Sequence, residues 1–365
     1  MSFVESNIQQ NISLAPFTTL KIGGAAQYFI EANTTENLIE AVRWAGAKNL
    51  PVFVLGGGSN IVVADAGFQG LVIHNRIRGI AFSPTPTEFA NSPSPETLVT
   101  VGAGENWSAF VELVVAKNLA GVECLSGIPG NVGSTPIQNV GAYGQDVSET
   151  IVTVEAFDLQ TNALVELSAA DCEFGYRASR FKHRDRHRFM VTKVTYKLLH
   201  GGKPQIHYAE LKKFIDEQGM REPSLAQVSQ AVYEIRKRKA MVLSDDPDSQ
   251  SVGSFFVNPV VSQEALAQIR KRAEKFLQAG EQMPAFAGAG REVKLSAAWL
   301  IERAGIRRGT IFGNVGTSSK HALAIINRGG GTAREVIAFA DHIKSRVLDS
   351  FGVELTPEPV FIGFE

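Results

Sequence analysis

Two glycine-rich segments have the composition of ligand-binding loops, and residues 127–144 form the longer one. This segment (GIPGNVGSTPIQNVGAYG) contains five glycines and two prolines, too many for the interior of a helix or strand. It has apolar residues along its length and no charged residue, unlike a disordered linker. Long loops in compact domains are usually functional. We therefore predict that this loop binds a nucleotide or dinucleotide cofactor, with a connection that only turns a corner as the alternative.

The shorter glycine-rich segment, residues 55–60 (LGGGSN), follows the apolar run 51–55, which predicts a strand. Backbone amides in a glycine turn after a strand can form an anion-binding concavity. The chain lacks Gly-x-x-x-x-Gly-Lys-Ser/Thr, and no Gly-x-Gly-x-x-Gly follows this strand, so neither a P-loop nor a Rossmann fingerprint is indicated. Phosphate binding and an ordinary turn both remain open for this segment.

Three isolated polar residues stand in contexts that suit chemistry. Arg177 follows a tyrosine, Ser254 follows a glycine, and Glu358 lies between two prolines. A serine nucleophile needs a nearby base, and Gly-x-Ser-x-Gly is absent, so a serine hydrolase is poorly supported. Each residue also has a structural alternative: an ion pair for Arg177, a turn cap for Ser254 and an exposed charge for Glu358.

Two basic clusters invite functional interpretations. In residues 182–188 (KHRDRHR), His183 and His187 have the spacing of metal ligands on a helix, but no Cys or Glu nearby completes a ligand set. No aromatic residues interleave with the charges, which disfavours nucleic-acid binding. We interpret this segment as a solvated or phosphate-facing loop. The second cluster, residues 236–239, ends a predicted helix, where cations complement the macrodipole.

Periodicity and capping signals predict the elements that position these residues. Thr35 is expected to cap a helix, Ser224 opens a helix with apolar residues every three or four positions, and Thr332 with Glu335 forms a capping box. β-branched and apolar runs predict strands at residues 70–74, 98–101, 151–157, 163–167, 189–198 and 321–327. A change in sequence character near residues 200–223 predicts a domain boundary there.

Length and composition narrow the class of protein. A chain of 365 residues is expected to form two or three domains. Lys plus Arg (36) nearly balances Asp plus Glu (37), so attraction to nucleic acid or to an anionic membrane is not indicated. We find no signal peptide or apolar membrane span, and we expect a cytoplasmic protein. Its two cysteines, Cys124 and Cys172, suggest neither a disulfide framework nor a metal site.

Eight motifs in order along the chain together resemble the UDP-N-acetylenolpyruvoylglucosamine reductase family. These flavoenzymes make UDP-N-acetylmuramate for bacterial peptidoglycan. The motifs are FTT (17–19) with IGG (22–24), LGGGSN (55–60), the loop 127–144, YRASRF (176–181), IRKRK (235–239), GSFFVNP (253–259), AAWLI (297–301) and PE (357–358). They span nearly the whole chain, which makes the resemblance highly specific.

The resemblance implies an α+β fold. A two-lobed FAD-binding module of the vanillyl-alcohol-oxidase (PCMH) type would precede a smaller α+β substrate domain. On this basis residues 1–75 form the first FAD-binding lobe, residues 76–219 the second lobe with a substrate loop, and residues 220–365 the substrate-binding domain. The proline-rich insertion 83–97, expected to be a surface loop, and the insertion 279–291 have no assigned role.

FAD and NADPH are the cofactors that the resemblance implies. The expected FAD contacts are Leu55, Gly56, Gly57, Gly58, Ser59, Asn60, Ile128, Pro129, Gly133, Ser134, Ile137, Gly141, Tyr143 and Arg236. Tyr143 either stacks on the cofactor, hydrogen-bonds it, or packs the loop against its domain. No residue is assigned to the nicotinamide.

The resemblance also implies the chemistry of three residues. The substrate would be the enolpyruvyl ether of UDP-N-acetylglucosamine, and hydride would pass from NADPH through the flavin to its C3 carbon. Arg177 and Glu358 would stabilise the charge that builds on the substrate carboxylate. An ionised Glu358 would repel that charge, so Glu358 is expected to be protonated, with a raised pKa, or to donate through a water molecule. Ser254 would deliver a proton to C2.

The expected contacts to the uridine diphosphate are Tyr208, Lys239, Asn258, Arg308 and His321. Tyr208 belongs to the family subgroup whose tyrosine loop folds over the nucleotide. Arg308 stands where the family often has lysine, and His321 where other members carry glutamine, so these two contacts do not transfer directly. A monomer is expected. The alternatives are an FAD-dependent sugar or alcohol oxidase of the same fold and a non-catalytic nucleotide-binding module.

Overall fold

A computed structural model describes residues 2–84, 96–278, 280–288 and 290–364. The chain forms two compact units. The first comprises Met1–Ile12, Ala26–Gly58 and Phe68–Val242, and the second comprises Ser13–Ala25, Ser59–Gly67 and Leu243–Glu365. Residues 85–95 of the predicted surface loop lie outside the described residues, as do residues 279 and 289 of the second insertion.

The helices are α1 (Phe3–Asn7), α2 (Thr35–Ala47), α3 (Trp107–Ala116), α4 (Ala209–Glu217), α5 (Leu225–Arg238), α6 (Gln263–Ala273), α7 (Ala297–Arg303) and α8 (Ala333–Phe351). The strands are β1 (Gln9–Ser13), β2 (Ala25–Ala32), β3 (Val52–Leu55), β4 (Ile61–Val63), β5 (Phe68–Asn75), β6 (Ile80–Pro84), β7 (Glu96–Gly102), β8 (Leu119–Ala120), β9 (Gly141–Ala142), β10 (Gln145–Asp146), β11 (Ile151–Asp158), β12 (Ala163–Ser168), β13 (Phe189–His200), β14 (Val260–Val261), β15 (Ala285–Ala287), β16 (Val293–Leu295), β17 (Ile311–Phe312), β18 (Val315–Thr317), β19 (Ile325–Asn327) and β20 (Val360–Ile362).

A four-stranded sheet begins the first unit, in the order β1-β2-β5-β3. Strand β5 pairs in parallel with both β2 and β3, and β3 leads directly into the glycine triplet 56–58. Helix α2 covers this sheet with a buried stripe that recurs every three or four residues, including Leu38, Ala41 and Ala45. Thr34, not Thr35, caps the helix, because the Thr34 side chain accepts the Asn37 amide (3.2 Å).

Besides the β9–β10 pair, the first unit contains an antiparallel sheet in the order β12-β11-β13-β7-β6, with β8 also paired to β13. Helix α3 buries Trp107, Phe110 and Val114 in the core of this sheet. The ring of Tyr196 from β13 packs against both aromatic rings of the helix. This core also takes in Val132 and Val140, so the 127–144 loop is anchored by its apolar residues.

Helix α5 begins as predicted, because Ser224 and Gln227 form a capping box. Its apolar stripe packs with Cys124 and with Leu211 and Ile215 of α4, inside the first unit. The first unit therefore extends to Val242 and includes α5. The substrate domain predicted from residue 220 stays a prediction. The predicted division between two lobes at residue 75 stays a prediction.

The second unit has its own core around α8, which the predicted Thr332–Glu335 capping box begins. Three small sheets surround this core: β14-β16-β15, β17-β18-β19, and the parallel pair β20-β4. The β4–β20 pair joins the early segment Ser59–Gly67 to the C-terminal part of the chain. The strand predicted at 321–327 covers only Ile325–Asn327, because the Ala324 amide donates to the His321 carbonyl (3.2 Å) and makes a turn.

Candidate functional site

The two glycine-rich segments meet in the first unit. A Cβ atom added to Gly57 would lie 2.7 Å from Cα of Gly130 and 3.1 Å from Oδ1 of Asn131. Real Cβ atoms do not approach backbone this closely, so glycine at position 57 is required for the contact. Gly58 has a positive φ of 62°, which turns the chain after β3. Gly57 and Gly130, 73 positions apart in sequence (130 − 57), thus bring two segments into one backbone surface, where amides can approach an anion.

The 127–144 loop is held mainly by its own backbone and by the neighbouring segment 103–107. The amides of Val132 and Gly133 donate to the carbonyls of Glu105 and Ala103 (both 2.9 Å). The Thr135 hydroxyl bonds the buried Tyr196 hydroxyl (2.8 Å). The loop also contains a short 3₁₀ turn, Val132–Ser134, and strand β9, so it is more regular than its composition predicted.

Tyr143 lies at the tip of a tight hairpin between β9 and β10. Tyr143 and Gly144 both have positive φ (50° and 89°), the conformation of a type I′ turn. The Tyr143 ring meets the Tyr208 ring edge to face, with centroids 5.4 Å apart. Burial raises the pKa of the Tyr143 hydroxyl well above its usual range. A tyrosine in a strained turn, with its hydroxyl kept neutral, suits hydrogen bonding more than acid-base chemistry.

Arg177 lies against the 127–144 loop. Its backbone is left-handed (φ 53°), in a tight turn where Gly175 and Ala178 exchange hydrogen bonds. The guanidinium donates to the carbonyls of Asn139 (3.2 Å) and Gly141 and lies 3.4 Å from an Asp146 carboxylate oxygen. The loop therefore aims the Arg177 side chain, and the strained backbone is typical of functional residues.

Arg236 is a buried cation on the last turn of α5. One terminal nitrogen donates to the Met241 carbonyl (2.8 Å), and the buried Nε has no hydrogen-bond partner in the described part of the chain. Burial lowers the pKa of the guanidinium, and its charge acts on the neighbouring Tyr143 hydroxyl. A buried charge without a carboxylate is costly unless a ligand supplies the counter-charge. Arg236 is therefore suited to an anionic ligand.

Lys239 and Tyr208 lie near the same end of α5. Lys239 follows the helix, and its ammonium contacts the Glu210 carboxylate at 2.6 Å. Tyr208 is the residue before α4, and burial raises the pKa of its hydroxyl, with Glu210 adding to the shift. The structure thus brings together four of the predicted residues of the first unit: Tyr143, Tyr208, Arg236 and Lys239.

In the second unit, Ser254 and Glu358 lie on neighbouring backbone segments. The Glu358 amide donates to the carbonyl of Phe255, the residue after Ser254 (2.9 Å), and Phe256 bridges Pro357 in antiparallel fashion. The Asn60 side-chain amide donates to the Glu358 carbonyl (3.4 Å). Predicted residues separated by 298 positions in sequence are therefore adjacent in the fold.

The other predicted residues of the second unit have structural partners. The Asn258 side-chain oxygen accepts the Ala297 amide (2.9 Å). Arg308 Nε donates to the Glu302 carboxylate (3.0 Å), and both side chains are exposed. His321 Nδ1 accepts the Leu323 amide (3.2 Å). These bonds fix Asn258 and His321, whereas the exposed Arg308 pair exchanges easily with an anion.

The remaining predicted cofactor residues all lie in the two glycine-rich segments. Leu55, Ile128 and Ile137 are buried or partly buried, the last two against the core of the antiparallel sheet. Gly133 and Gly141 allow close packing, because an added Cβ would lie 2.5 Å from Ala103 Cβ or collide with the Asp146 carboxylate. The Ser134 hydroxyl donates to the Asn131 carbonyl (2.6 Å). Gly56, Ser59 and Pro129 belong to the same two glycine-rich segments.

In the basic loop 182–188, His183, Arg184, Arg186 and His187 are exposed, as expected of a solvated loop, and Arg184 and Arg188 also form ion pairs. Arg188 makes a two-pronged contact with Asp158 (2.9 and 2.8 Å), and Arg180 and Arg184 both contact Asp185. The Arg188 guanidinium holds the pKa of the Asp158 carboxyl well below its usual range. Within the described residues, no group of three His, Cys, Asp or Glu side chains is arranged to hold a metal ion.

Residue-by-residue inspection missed a buried carboxylate that organises the site. Glu123 is fully buried and accepts the Gln145 side-chain amide (2.9 Å) and the Gln205 backbone amide (3.3 Å). Gln145 follows the Tyr143 turn, and Gln205 precedes Tyr208, so Glu123 ties together the two segments that carry these tyrosines. A glutamate inside the apolar run 122–125 was the signal available in the sequence.

Two protein-family models match the chain. The model described as FAD binding domain matches residues 26–168, and the model described as UDP-N-acetylenolpyruvoylglucosamine reductase, C-terminal domain, matches residues 245–362. In the described part of the chain, no helix combines the length and the apolar character needed to cross a membrane.

Curated proteins and a solved structure resemble nearly the whole chain. The UDP-N-acetylenolpyruvoylglucosamine reductase of Thermobifida fusca (strain YX) is 44% identical over 362 residues, which covers 98% of this chain and 99% of that protein. The reductase of the same name from Streptomyces coelicolor is 43% identical, covering 96% and 89%. The crystal structure of the Thermus caldophilus reductase shares the fold, with a TM-score of 0.62 at 23% identity, covering 97% and 99%.

An FAD-binding domain joined to a second α+β unit places the chain in the class of FAD-dependent oxidoreductases. Within that class, the chain belongs to the UDP-N-acetylenolpyruvoylglucosamine reductase family. The family and the FAD cofactor predicted from the motifs are therefore confirmed, as is the α+β fold class.

Proposed function

We propose that the chain reduces the enolpyruvyl ether of UDP-N-acetylglucosamine to UDP-N-acetylmuramate, with FAD as cofactor and NADPH as reductant. The observation that carries this proposal is the pairing of Ser254 with Glu358 on hydrogen-bonded backbone segments, within the part that matches the family's C-terminal domain. A hydroxyl proton donor and a carboxyl group are thus carried by adjacent backbone segments. Reduction of a carbon–carbon double bond next to a carboxylate requires both kinds of group.

The first unit fits FAD on two structural grounds. The close contact of Gly57 with Gly130, which a side chain would prevent, brings the backbone amides of the two glycine-rich segments together. Arg236 supplies a buried positive charge whose Nε lacks a partner in the described residues. The diphosphate of FAD carries the charge that such a cation and such backbone amides bind. We assign the diphosphate to residues 56–60, to the 127–144 loop and to Arg236.

Held by residues 56–60, the 127–144 loop and Arg236, FAD would supply the redox chemistry, the transfer of a hydride from NADPH to C3 of the enolpyruvyl group. The Ser254 hydroxyl gives the proton that C2 requires, so the double bond becomes saturated. Arg177, aimed by the carbonyls of Asn139 and Gly141, stabilises the negative charge on the substrate carboxylate. Protonated Glu358 donates a hydrogen bond to the same charge. Each such donor is worth about 3 to 4 kcal/mol where water is excluded.

We assign Tyr208, Lys239, Asn258, Arg308 and His321 to the uridine diphosphate, as the resemblance to the family implies. Lys239 and Arg308 carry the positive charge among these residues, and both form ion pairs that a phosphate can replace. A cytoplasmic location and a monomer complete the proposal. A single symmetric peak at monomer mass in size-exclusion chromatography with light scattering would support the monomer.

Stopped-flow measurement of the two half-reactions tests the role of Ser254. Flavin absorbance falls when NADPH is added and recovers when the enolpyruvyl substrate is added. We expect Ser254→Ala to leave the first rate intact and to slow the second about 100- to 10,000-fold, the usual contribution of a proton donor. Ser345→Ala is the matched control, because Ser345 lies on the exposed face of α8 and its hydroxyl bonds only Asp349 in the described structure. An equal fall in both half-reactions would exclude the proton-donor role.

A further inference from the structure

Lys239, which the proposed function assigns to the substrate diphosphate, forms an ion pair with Glu210 in this structure. The Lys239 ammonium lies 2.6 Å from the Glu210 carboxylate, within ordinary hydrogen-bond distance. About a third of the lysine side chain and two fifths of the glutamate side chain are exposed. Solvent therefore reaches the pair, and a charged ligand can reach it as well.

Glu210 also belongs to the segment that carries Tyr208. It lies in the first turn of α4, two residues after Tyr208, which is the N-cap position of that helix. Glu210 contributes to the raised pKa of both the Tyr208 and the Tyr143 hydroxyls, so its charge acts on the same small region. The single contact with Lys239 therefore links the end of α5 to the tyrosine segment.

A diphosphate that binds Lys239 meets the negative charge of Glu210. Lys239 cannot give the same ammonium protons to a carboxylate and to a diphosphate. If a diphosphate binds Lys239 while Glu210 stays in place, two like charges lie within a few ångströms of each other, which is unfavourable. The ammonium has three N–H donors, but the one that Glu210 holds is not available to a diphosphate, and the repulsion favours a carboxylate that moves away on binding.

We propose that Glu210 competes with the substrate diphosphate for Lys239. This inference rests on the proposed assignment of Lys239 to the diphosphate. A ligand with a charged diphosphate displaces Glu210 and replaces the lost ion pair with its own contact to Lys239, so its net gain is smaller. A ligand that has the uridine but no phosphate leaves the Lys239–Glu210 pair in place. Glu210 thereby lowers the affinity for diphosphate ligands and leaves the affinity for uridine unchanged.

Binding of UDP and of uridine to the FAD-loaded enzyme tests this proposal. Glu210→Gln keeps the size of the side chain and removes its charge. We expect the Kd of UDP, measured by calorimetry, to fall about two- to five-fold, the range for a partly exposed ion pair, while the Kd of uridine stays constant. In steady-state kinetics, we expect the same variant to lower the KM of the enolpyruvyl substrate.

Glu217→Gln is the matched control, because Glu217 lies on the same helix in an exposed pair with Lys213 (3.8 Å). We expect it to change neither Kd. In a Lys239→Met background, the gain in UDP affinity from Glu210→Gln should shrink, because the ammonium for which Glu210 and the diphosphate compete is absent.

Three results would overturn the proposal: a weaker or unchanged UDP affinity in Glu210→Gln, an equal gain for UDP and uridine, or an unchanged gain in the Lys239→Met background. The equal gain would instead indicate a general loosening of the tyrosine segment. If Lys239→Met itself leaves UDP affinity unchanged, the assignment of Lys239 in the proposed function is wrong as well. A loss of UDP binding in Lys239→Met without any effect of Glu210→Gln overturns only the competition.

Discussion

The arginines of the basic loop 182–188 and Arg236 have opposite surroundings. In the loop, Arg188 has a two-pronged contact with Asp158, and Arg184 contacts Asp185 and Glu173. Arg236 is more deeply buried, yet its contact in the described structure is a carbonyl oxygen, and its Nε has no partner there. Cations that serve the fold are paired by the protein's own carboxylates. A buried cation without such a carboxylate indicates a place that a ligand must complete.

Among the substitutions that test this comparison, replacing Arg236 is expected to change FAD affinity most. Arg236→Met keeps the apolar stem and removes the charge. A hydrogen bond to a charged group contributes about 1.5 to 3 kcal/mol, so the Kd of FAD should rise about 10- to 100-fold. The melting temperature of the apoprotein should stay constant or rise, because an unpaired buried charge is lost. Titration of apoprotein with FAD and thermal melts without FAD measure the two quantities.

Arg186→Met is the matched control for Arg236→Met. Arg186 is an exposed arginine of the basic loop, and its loss should leave FAD affinity unchanged. A lower apoprotein melting temperature together with normal FAD affinity in Arg236→Met would assign Arg236 to the fold. The contrast between the two groups of arginines would then be lost.

A smaller effect on FAD affinity is expected from replacing Gly57, whose lack of a side chain allows the two glycine-rich segments to meet. Gly57→Ala places a methyl group 2.7 Å from Cα of Gly130 and forces the two glycine-rich segments apart. Overpacking of this kind costs about 1 to 3 kcal/mol, and FAD affinity should fall with it. Gly46→Ala is the control, because Gly46 lies on α2 with no atom within 4 Å of the added Cβ. That change should stabilise the protein by about 0.5 to 1 kcal/mol. Equal stabilities in the two variants would contradict the close contact.

Local signals predicted the elements well. Helix α5 follows Ser224 and helix α8 follows Thr332, as predicted, and each start is fixed by residues only three positions apart. The 127–144 segment was also identified from its own composition, although its short 3₁₀ turn and β9 were not. The resemblance to a family then supplied the identity of the cofactor, which no local pattern specified.

Long-range contacts could not be predicted from the sequence. Asp158 lies 30 residues from Arg188, and Glu210 lies 29 residues from Lys239, so no local pattern marks either pair. The basic loop and the end of α5 therefore looked alike as runs of positive charge. The packing of α5 on α4 and Cys124, which includes it in the first unit, is likewise a long-range contact, and the predicted domain boundaries stay a prediction. Burial and pairing, rather than charge density, separate the structural arginines from the ligand-binding arginine.

The Asp158–Arg188 ion pair is expected to affect stability and not FAD binding, and Asp158→Asn tests this expectation. The Asp158 carboxylate is nearly fully buried and also accepts the Gln160 amide (2.9 Å) and the Thr161 hydroxyl (3.1 Å). Its loss leaves Arg188 without its main partner, so the melting temperature should fall by a few degrees. FAD affinity should not change, in contrast to Arg236→Met. A loss of FAD binding in folded Asp158→Asn would show that the ion-pair loop serves the cofactor after all.

The pH dependence of this variant gives a second, independent check. Because Arg188 lowers the pKa of Asp158 in the folded state, the carboxylate contributes stability above its unfolded pKa of about 4. That contribution is lost as the pH falls from about 4 toward the lowered folded pKa. The difference in melting temperature between the natural protein and Asp158→Asn should therefore be constant from pH 6 to 8 and shrink below about pH 4. A difference that stays constant at acid pH would mean that packing of the asparagine, and not the lost charge, destabilises the variant.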